Sequence, residues 1–461
     1  MKIISEVTLG KHSDLPKVRI VAGTDTLTLQ KEDGSLEIRI AVGKLEEVTR
    51  RKLLLIARRI IVVANKTKLK RFVIEWTEFD FVKHAYAPGE LAEILSVEWV
   101  MANYECVSFK NPPPEGWSRV EEVIFVGNFS KEEKRRIEQG IAVGNAVNAT
   151  RQISNTPGGE MTPQLLADMA KHAAKGTGAK VKILGLKEME KMGMGGVLGV
   201  GKGSIIEPRF IIVEWNGGEK QDRPLVLVGK GITFDTGGLN LKSTSGISDM
   251  HLDMSGGAAV IFATILAATQ RVKRNVVALI PAAENMPSGS SYRPGDILRS
   301  LSGITIEIAN TDAEGRVVLA DALTYAERYE PSLVVDVATL TGAAVVALGE
   351  HASALFTHDD DLAQKFIRLG EESGDYLWRL PLWEEYEDEV KGTFGDLVNA
   401  GKNSHGGAIR AAVFLAQFAK KYPWVHLDIA PRMTAIKGEY LAKGASGAPV
   451  RILWKLIQDY R

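Results

Sequence analysis

From about residue 155 onward, short apolar segments alternate with segments of helical spacing. The apolar segments predict strands at residues 180–184, 209–215, 225–228, 275–280, 333–337 and 424–429. The helical spacing predicts helices at residues 255–270, 315–329 and 407–421. Nearly continuous apolar strands separated by helices are typical of a mostly parallel sheet that is covered on both faces. We therefore expect an α/β fold in which ligands bind beyond the carboxyl ends of the strands.

The chain is too long for one hydrophobic core, because its 461 residues exceed the usual limit of a single domain. Residues 1–127 also alternate strands and helices, which predicts a smaller N-terminal α/β domain whose role the sequence leaves open. Ser130 and Glu133 form a capping-box pattern and predict a long helix that ends near Gln152. The expected organisation is therefore an N-terminal domain, a connecting helix at residues 128–154 and a C-terminal domain at residues 155–461.

Composition and termini narrow the class of protein. Lys+Arg and Asp+Glu both number 57, and this zero net charge argues against a chain that coats nucleic acid or an anionic membrane. The single cysteine, Cys106, excludes an intrachain disulfide, and its neighbours indicate a core position. Glu6 interrupts any signal-peptide core, and the most apolar run, residues 256–269, is shorter than the ~20 residues that span a bilayer. We expect a cytoplasmic protein with no membrane partner.

Acidic residues cluster where strands meet helices. Asp235 follows the strand at residues 225–228 in a glycine-rich segment that we interpret as a loop, and Asp253 directly precedes a helix. Asp312 and Glu314 lie two residues apart, so in an extended segment both side chains would face one centre. Four carboxylates at one sheet edge raise each other's pKa unless cations neutralise them. The pattern therefore favours a site for cations.

Paired divalent metal ions fit such a cluster. Carboxylate oxygens suit Mn²⁺ and Mg²⁺ and are acceptable to Zn²⁺, and two ions about 3.5–4 Å apart can share a water. Each acid alone has an ordinary alternative: Asp253 could cap a helix, and Glu314 could face a helix dipole. Their clustering favours the metal site over these alternatives. Asp321, further along the same predicted helix, is interpreted as a solvated acid.

These segments resemble the leucine aminopeptidase family, also called the cytosol aminopeptidase family. Residues 310–316, Asn-Thr-Asp-Ala-Glu-Gly-Arg, match its signature heptapeptide residue for residue. Further matching segments are residues 228–238, 241–242, 253–259, 336–343, 406–409 and 426–430. The resemblance covers approximately residues 150–461. It implies a metal-dependent aminopeptidase, with residues 155–461 as the catalytic domain.

The resemblance also implies roles for individual residues. The metal ligands would be Lys230, Asp235, Asp253, Asp312 and Glu314, with Asp235 and Glu314 bridging two ions, Mn²⁺ or Zn²⁺. Lys242 and Arg316 would be catalytic: the lysine faces the substrate carbonyl, and a bicarbonate beside the arginine helps to move protons. The specificity pocket would include Met250, Thr339, Gly342, Ala442 and Ala445. The family's usual assembly implies a homohexamer.

The implied reaction is hydrolysis of the first peptide bond of an unblocked peptide, with leucine and other apolar residues at the N-terminus. A water that bridges the metals would attack the carbonyl. Two alternatives stay open: a DNA-binding or regulatory protein that keeps this fold, and a narrow dipeptidase. Neutral net charge and the complete ligand set count against a nucleic-acid partner. Pro431 and Ala445 depart from many members, which leaves the nearby loop and the depth of the pocket open.

Three other patterns are rejected as functional signals. Asp235-Thr236-Gly237 spells the aspartic-protease triplet, but no second copy supplies the required partner acid. Residues 196–203 nearly form a phosphate loop, but Gly203 stands where the Mg²⁺-binding hydroxyl is needed, so we interpret the segment as a flexible loop. His426 lies on an apolar strand and is interpreted as a packed core histidine.

Overall fold

The computed structural model describes residues 1–460 except 32, 33, 88, 402 and 404. The chain forms two compact units. The first contains Met1–Asn148 together with Ala435–Gly444, and the second contains Ala149–Thr434 together with Ala445–Arg461. The boundary after residue 148 lies inside a long helix, and no sequence pattern indicated that Ala435–Gly444 belongs to the first unit.

The first unit is built on a six-stranded sheet. Its strands are β1 (Lys2–Glu6), β2 (Lys17–Val21), β3 (Leu27–Gln30), β4 (Leu36–Ala41), β5 (Arg71–Glu75) and β6 (Glu122–Val126). They are ordered β1-β6-β5-β2-β4-β3, and all neighbours are parallel except β3 and β4. The helices are α1 (Arg50–Lys66), α2 (Asp80–Lys83), α3 (Glu90–Ala102) and α4 (Lys131–Ser154), of which α4 continues into the second unit.

The predicted capping box begins α4. The Ser130 N–H donates to Glu133 at 2.8 Å, and the Glu133 N–H donates to the Ser130 hydroxyl at 3.2 Å. Each residue thereby satisfies a backbone donor that the first turn of a helix leaves without a partner. This prediction is confirmed, and the helix ends at Ser154, two residues beyond the expected end.

The second unit contains a larger mixed sheet, ordered β16-β15-β18-β14-β9-β11-β8-β7, with β10 paired to β11. The strands of this unit are β7 (Lys180–Leu184), β8 (Arg209–Asn216), β9 (Leu225–Gly229), β10 (Gly231–Asp235), β11 (Asn275–Asn285), β12 (Ile297–Arg299), β13 (Thr305–Glu307), β14 (Leu333–Ala338), β15 (Ser353–Phe356), β16 (Leu377–Arg379), β17 (Leu397–Val398) and β18 (Trp424–Asp428). The central strands β18, β14, β9 and β11 are parallel. A small separate sheet joins β12, β13 and β17.

Helices cover both faces of the large sheet. The helices of the second unit are α5 (Pro163–Ala174), α6 (Leu186–Met192), α7 (Gly195–Gly201), α8 (Thr244–Ile247), α9 (Ser255–Thr269), α10 (Glu314–Ala326), α11 (Gly342–Leu348), α12 (Asp360–Ser373), α13 (Gly407–Ala416) and α14 (Val450–Asp459). Val226 packs in the core that contains α10, whereas its neighbour Leu227 packs in the core that contains α9. Both side-chain directions of β9 are therefore buried, as predicted for strands without polar alternation.

Two segments differ from the sequence expectations. The glycine-rich segment before Asp235 is strand β10, paired in parallel with β11, and the near-phosphate-loop segment contains helix α7. A Cβ on Gly196 would lie 2.4 Å from the Val317 carbonyl oxygen, so glycine lets α7 approach α10 closely. Here the packing between elements, rather than local flexibility, explains the glycines.

The apolar run near residue 260 also needs a correction. The helical stretch Met250–Thr269 is 20 residues long with mean hydropathy 1.6, so its length and composition alone would allow it to cross a membrane. In the fold, 89% of its apolar 18-residue window is buried inside the protein. The expectation that the run is too short is therefore wrong, and packing in the core accounts for its apolar composition.

Candidate active site

The acids singled out from the sequence meet at the carboxyl-end edge of the large sheet. Asp235 is the last residue of β10, and Lys230 directly follows β9. Asp253 lies before α9, and Glu314 is the first residue of α10. Parallel strands end at the same sheet edge, so residues distant in sequence converge there.

Lys230 holds one pair of acids. Its Nζ lies 2.7 Å from Oδ2 of Asp253 and 2.8 Å from Oε1 of Glu314, and it donates to the Thr339 carbonyl at 3.0 Å. All three charged side chains are buried. Lys230 therefore fixes two carboxylates around one buried point.

Lys242 holds the second pair. Its Nζ lies 2.8 Å from Oδ2 of Asp235 and 2.5 Å from Oδ1 of Asp312. The Lys242 side chain is 16% exposed, whereas that of Lys230 is 3% exposed. Of the two lysines, Lys242 is therefore the one that a molecule arriving from solvent can reach.

The two pairs form one cluster. Asp235, Asp312 and Glu314 each offer a carboxylate oxygen, and these three atoms lie within 4.8 Å of one another. Asp312 lies in a turn rather than in the extended segment that we expected, so the turn and the start of α10 bring Asp312 and Glu314 together. Three oxygens at this separation can surround a single ion.

Asp253 is not a helix cap. The residue that caps α9 is Met254, and it makes no side-chain hydrogen bond to the first turn. Asp253 instead accepts from the Thr339 hydroxyl at 2.8 Å through Oδ1, while Oδ2 faces Lys230. The capping alternative for this acid is therefore wrong, and Thr339, expected only in the pocket, also orients the Asp253 carboxylate.

Charge in the cluster is unbalanced. Burial, together with the nearby Glu314 carboxylate, raises the pKa of Asp235 to about 6, and burial raises the pKa values of Asp253 and Asp312. Burial also acts to raise the pKa of Glu314, but Lys230 and Lys242 outweigh it and lower that pKa. Four carboxylates share two ammonium groups, so ionised carboxylates leave an excess of negative charge that bound cations can neutralise. The donor atoms are mainly oxygens, which suit divalent metal ions.

The two lysines are cations in this arrangement. Burial alone would lower the pKa of Lys230, but the Asp253 and Glu314 carboxylates outweigh it and raise that pKa. The same balance, with Asp235 as the main carboxylate, raises the pKa of Lys242. Without other ions, both lysines therefore act as charge partners of the acids.

Arg316 is buried on the first turn of α10. Its Nη1 donates to the Asn399 carbonyl at 2.8 Å, while its Nε has no hydrogen-bond partner among the described residues. Burial lowers the pKa of Arg316 to about 10, which leaves the guanidinium charged at neutral pH. A buried cation whose Nε has no partner in the described part of the chain can bind a small anion, and the bicarbonate expected beside it stays a prediction.

Gly315 separates the two functional residues of this turn. A Cβ at Gly315 would lie 2.7 Å from Cε and 2.8 Å from Nζ of Lys230. Any side chain there would displace the lysine from Asp253 and Glu314. The glycine of the signature heptapeptide is therefore required by the close approach of Lys230.

The pocket residues are placed as follows. Met250 begins a short 3-10 turn before Asp253, and Gly342 begins α11. Ala445 is buried, with its N–H bonded to Asn155 and its carbonyl bonded to Arg151. Ala442 belongs to the segment grouped with the first unit. The assignment of these residues to a specificity pocket stays a prediction.

Sequence reasoning missed the buried asparagines that orient the acids. Asn285, the last residue of β11, donates to Oδ1 of Asp235 at 2.8 Å and to the Thr311 carbonyl at 3.0 Å. Asn399 contacts the loop that carries Asp312. For Asn285 a signal existed, because a polar residue ends a long apolar run at the edge where ligands bind.

Three other interpretations can now be checked. Asp321 is fully buried and accepts backbone N–H groups of Val197 at 2.9 Å and Leu301 at 2.7 Å, so the solvated interpretation is wrong. Cys106 is half-buried, so its predicted core position is also wrong. His426 is fully buried with Nδ1 2.6 Å from Oδ1 of Asp336, which confirms a packed core histidine.

An α/β fold with clustered acids and lysines beyond the strand ends is an arrangement that can hold divalent ions and activate water for hydrolysis. Residues 148–454 match the catalytic domain of the cytosol aminopeptidase family. A probable cytosol aminopeptidase of Burkholderia mallei (strain SAVP1) is 45% identical over 395 residues, which are 85% of this chain and 77% of the relative. A probable cytosol aminopeptidase of Burkholderia pseudomallei (strain 668) is 43% identical with the same coverage.

Among solved structures, the bottromycin maturation enzyme BotP in complex with Mn aligns with a TM-score of 0.86 and 32% identity, covering 96% of this chain and 98% of BotP. The chain belongs to the cytosol aminopeptidase family. It is a metal-dependent aminopeptidase, and its substrates are peptides.

Proposed function

We propose that this chain removes single N-terminal residues, with leucine and other apolar residues preferred, from unblocked peptides, and that two divalent ions work at the acidic cluster. The observation that carries the proposal is the shared cluster of Asp235, Asp253, Asp312 and Glu314, whose charge two lysines only partly balance. The BotP structure in complex with Mn supports Mn²⁺ as a candidate ion. Zn²⁺ is the other candidate.

The residues that would hold the ions are the four acids and Lys230, with Asp235 and Glu314 shared between both ions. Divalent ions at such a centre supply activation of the attacking water and polarisation of the peptide carbonyl. The lysine nitrogen binds an ion only as the neutral amine, and a nearby divalent cation disfavours the ammonium form. In this proposal Lys230 would release its proton to solvent when the ions bind, and would thereby change from a charge partner of the acids into a ligand.

Lys242 has a different role, which its exposure supports. Its ammonium group keeps its proton because the neighbouring carboxylates raise its pKa, and it can donate to the oxygen on which negative charge develops. Arg316 would hold a bicarbonate through its Nε, which has no hydrogen-bond partner among the described residues, and a bicarbonate held there would supply proton transfer toward the leaving amine. Lys242 and Arg316 are thus the catalytic residues of the proposal.

The test is hydrolysis of leucine aryl amides by protein stripped with a chelator, with Mn²⁺, Zn²⁺, Co²⁺ and Mg²⁺ added back singly. We expect no activity in the stripped protein and recovery with at least one ion. Absence of activity with every ion would refute the proposal. A panel of dipeptides and longer peptides separates a general aminopeptidase from a narrow dipeptidase.

Assembly and location belong to the same proposal. The family resemblance supports a homohexamer in the cytoplasm, and the family's name supports the location. Light scattering at micromolar concentration should give six times the 50.2 kDa chain mass. A monomer under these conditions would refute the hexamer without touching the proposed reaction.

A further inference from the structure

Asn399 is a fully buried residue that follows β17. β17 pairs in parallel with β13, with Glu307 opposite Val398. The segments that follow these two strands therefore leave the small sheet side by side. The chain that leaves β13 carries Asp312 and then enters α10. Asn399 therefore lies next to the loop that leads to the acids.

The side-chain amide of Asn399 forms hydrogen bonds to the backbone of this loop through both its oxygen and its nitrogen. Oδ1 accepts from the N–H groups of Ala309 at 2.9 Å and Asn310 at 3.3 Å. Nδ2 donates to the carbonyls of Asn310 at 2.7 Å and Ala313 at 3.4 Å. An amide can do this because it has one strong acceptor and two donors, whereas a carboxylate or a hydroxyl lacks one part of this set.

Two more contacts extend from Asn399 to functional groups. Its backbone carbonyl accepts from Nη1 of Arg316 at 2.8 Å. Asn310, which its side chain holds, accepts from the Asp312 N–H at 2.8 Å through Oδ1. One residue thus touches both the loop of an acidic ligand and the catalytic arginine.

We propose that Asn399 is a positioning residue that sets the Asp312 loop and the Arg316 guanidinium in one geometry. The inference rests on the proposed function, because it assigns Asn399 a task only if the acids bind ions. Asn399 itself touches no reacting atom. Its loss should act through the affinity for the ion and through the alignment of Arg316.

A second buried asparagine provides a matched control. Asn275 begins β11, and its side chain accepts from the Gly218 N–H at 3.1 Å and donates to the carbonyls of Glu219 at 2.8 Å and Asp222 at 2.9 Å. It lies at the opposite end of β11 from Asn285. Asn275→Ala should therefore remove side-chain hydrogen bonds to the backbone, as Asn399→Ala does, and leave the positions of the four acids unchanged.

The experiment is calorimetric titration of Mn²⁺ into chelator-stripped full-length wild type, Asn399→Ala and Asn275→Ala. We expect Asn399→Ala to bind Mn²⁺ roughly 10–100-fold more weakly, the usual cost of removing a residue that orients metal ligands, while Asn275→Ala binds as the wild type does. At saturating Mn²⁺, kcat of Asn399→Ala should stay below that of the wild type, because Arg316 remains misaligned.

The outcomes separate the two proposals. Wild type that binds no ion and cleaves no peptide would overturn the proposed function. If wild type is active, and Asn399→Ala has the same Mn²⁺ affinity and the same kcat as Asn275→Ala, only the role of Asn399 is overturned. If Asn399→Ala does not fold, Asn399→Ser retains a smaller donor and acceptor, and Mn²⁺ binding equal to that of wild type in this variant would overturn the role.

Discussion

In the first unit, the buried carboxylate of Glu98 lies 2.5 Å from the Arg58 guanidinium, and Glu37 contacts both Lys31 and Arg39. Each of these buried acids has at least one cation to itself. In the second unit, four acids share Lys230 and Lys242, and burial raises the pKa values of three of them. Folding alone favours paired buried charges, because an unpaired one is costly.

Structural and functional acids in this protein therefore differ in how their charge is balanced. An acid matched by its own cation is explained by the fold, whereas a surplus of buried negative charge needs a ligand that the chain does not supply. Four groups of variants test this distinction, and they follow in order of decreasing effect.

Removing a carboxylate from the shared cluster should have the largest effect. Glu314→Gln is expected to lower kcat/KM by more than the roughly 10²–10³-fold cost of losing one oxyanion donor, because Glu314 would touch both ions. Asp253→Asn should also reduce bound metal and abolish activity, with less metal lost than in Glu314→Gln. Metal analysis of the dialysed variants provides the measurement, and two ions per chain in Glu314→Gln would remove it from the ligand set.

Removing a carboxylate from the first unit should affect stability and leave the chemistry unchanged. Glu98→Gln leaves the buried Arg58 cation without its carboxylate, which costs about 3–5 kcal/mol in the free energy of unfolding. Urea unfolding measures this loss, and kcat per folded chain should remain at the wild-type value. The double variant Arg58→Met/Glu98→Met should recover most of the stability. A fall in kcat in this folded double variant would show that the comparison between units fails.

The two lysines should give opposite results. Lys230→Met should weaken one metal site, and excess metal should restore part of the activity. Lys242→Met should keep both metals and lower kcat by roughly 10²–10³-fold, the cost of one lost oxyanion donor. Added metal should not rescue the second variant. If metal rescues Lys242→Met and fails with Lys230→Met, the two roles are reversed.

Asp321 is a buried acid of the second unit that backbone N–H groups hold, outside the shared cluster. Burial raises its pKa to about 7 from an ordinary value of 3.8, so the folded protein binds this proton more tightly than the unfolded chain does. The free energy of unfolding should therefore fall as pH rises from about 4 to 7.

Asp321→Asn removes this proton and replaces one acceptor by a donor, at a cost of about 1–3 kcal/mol. The difference from wild type should be largest near pH 4 and shrink toward pH 8, while kcat at a fixed pH stays unchanged. Unfolding curves at both pH values measure it. A difference that grows with pH would show that the folded protein prefers the ionised carboxylate.

Much of the second unit could be predicted because its strands are buried on both faces. That burial selects uninterrupted apolar runs, such as those of β9 and β14, and such runs can be recognised in sequence. The acids could also be predicted, because they lie at strand ends and in the heptapeptide at residues 310–316. The strands β15 and β16 at one edge of the sheet are only four and three residues long, too short to form a recognisable apolar run.

The rest depends on contacts between distant segments. Asp321 has the spacing of a solvated helical acid, and only the approach of α7 and Leu301 buries it. Asn399 bonds a loop about 90 residues earlier in the chain, which no local pattern reveals. The strand β10 was hidden because the glycines in and around it indicate a loop, although Gly231 itself allows close approach to the Pro281 carbonyl.

The bond between Asn399 and the Asp312 loop has a consequence for synthesis on the ribosome. The acids are translated before their supports: Asp253 is oriented by Thr339, and the loop of Asp312 is held by Asn399. A nascent chain that ends before residue 399 contains all four acids of the cluster but lacks the residue that fixes the loop of one of them. The centre is therefore completed late in translation, after the core strands β9, β11 and β14 have emerged and can already pair.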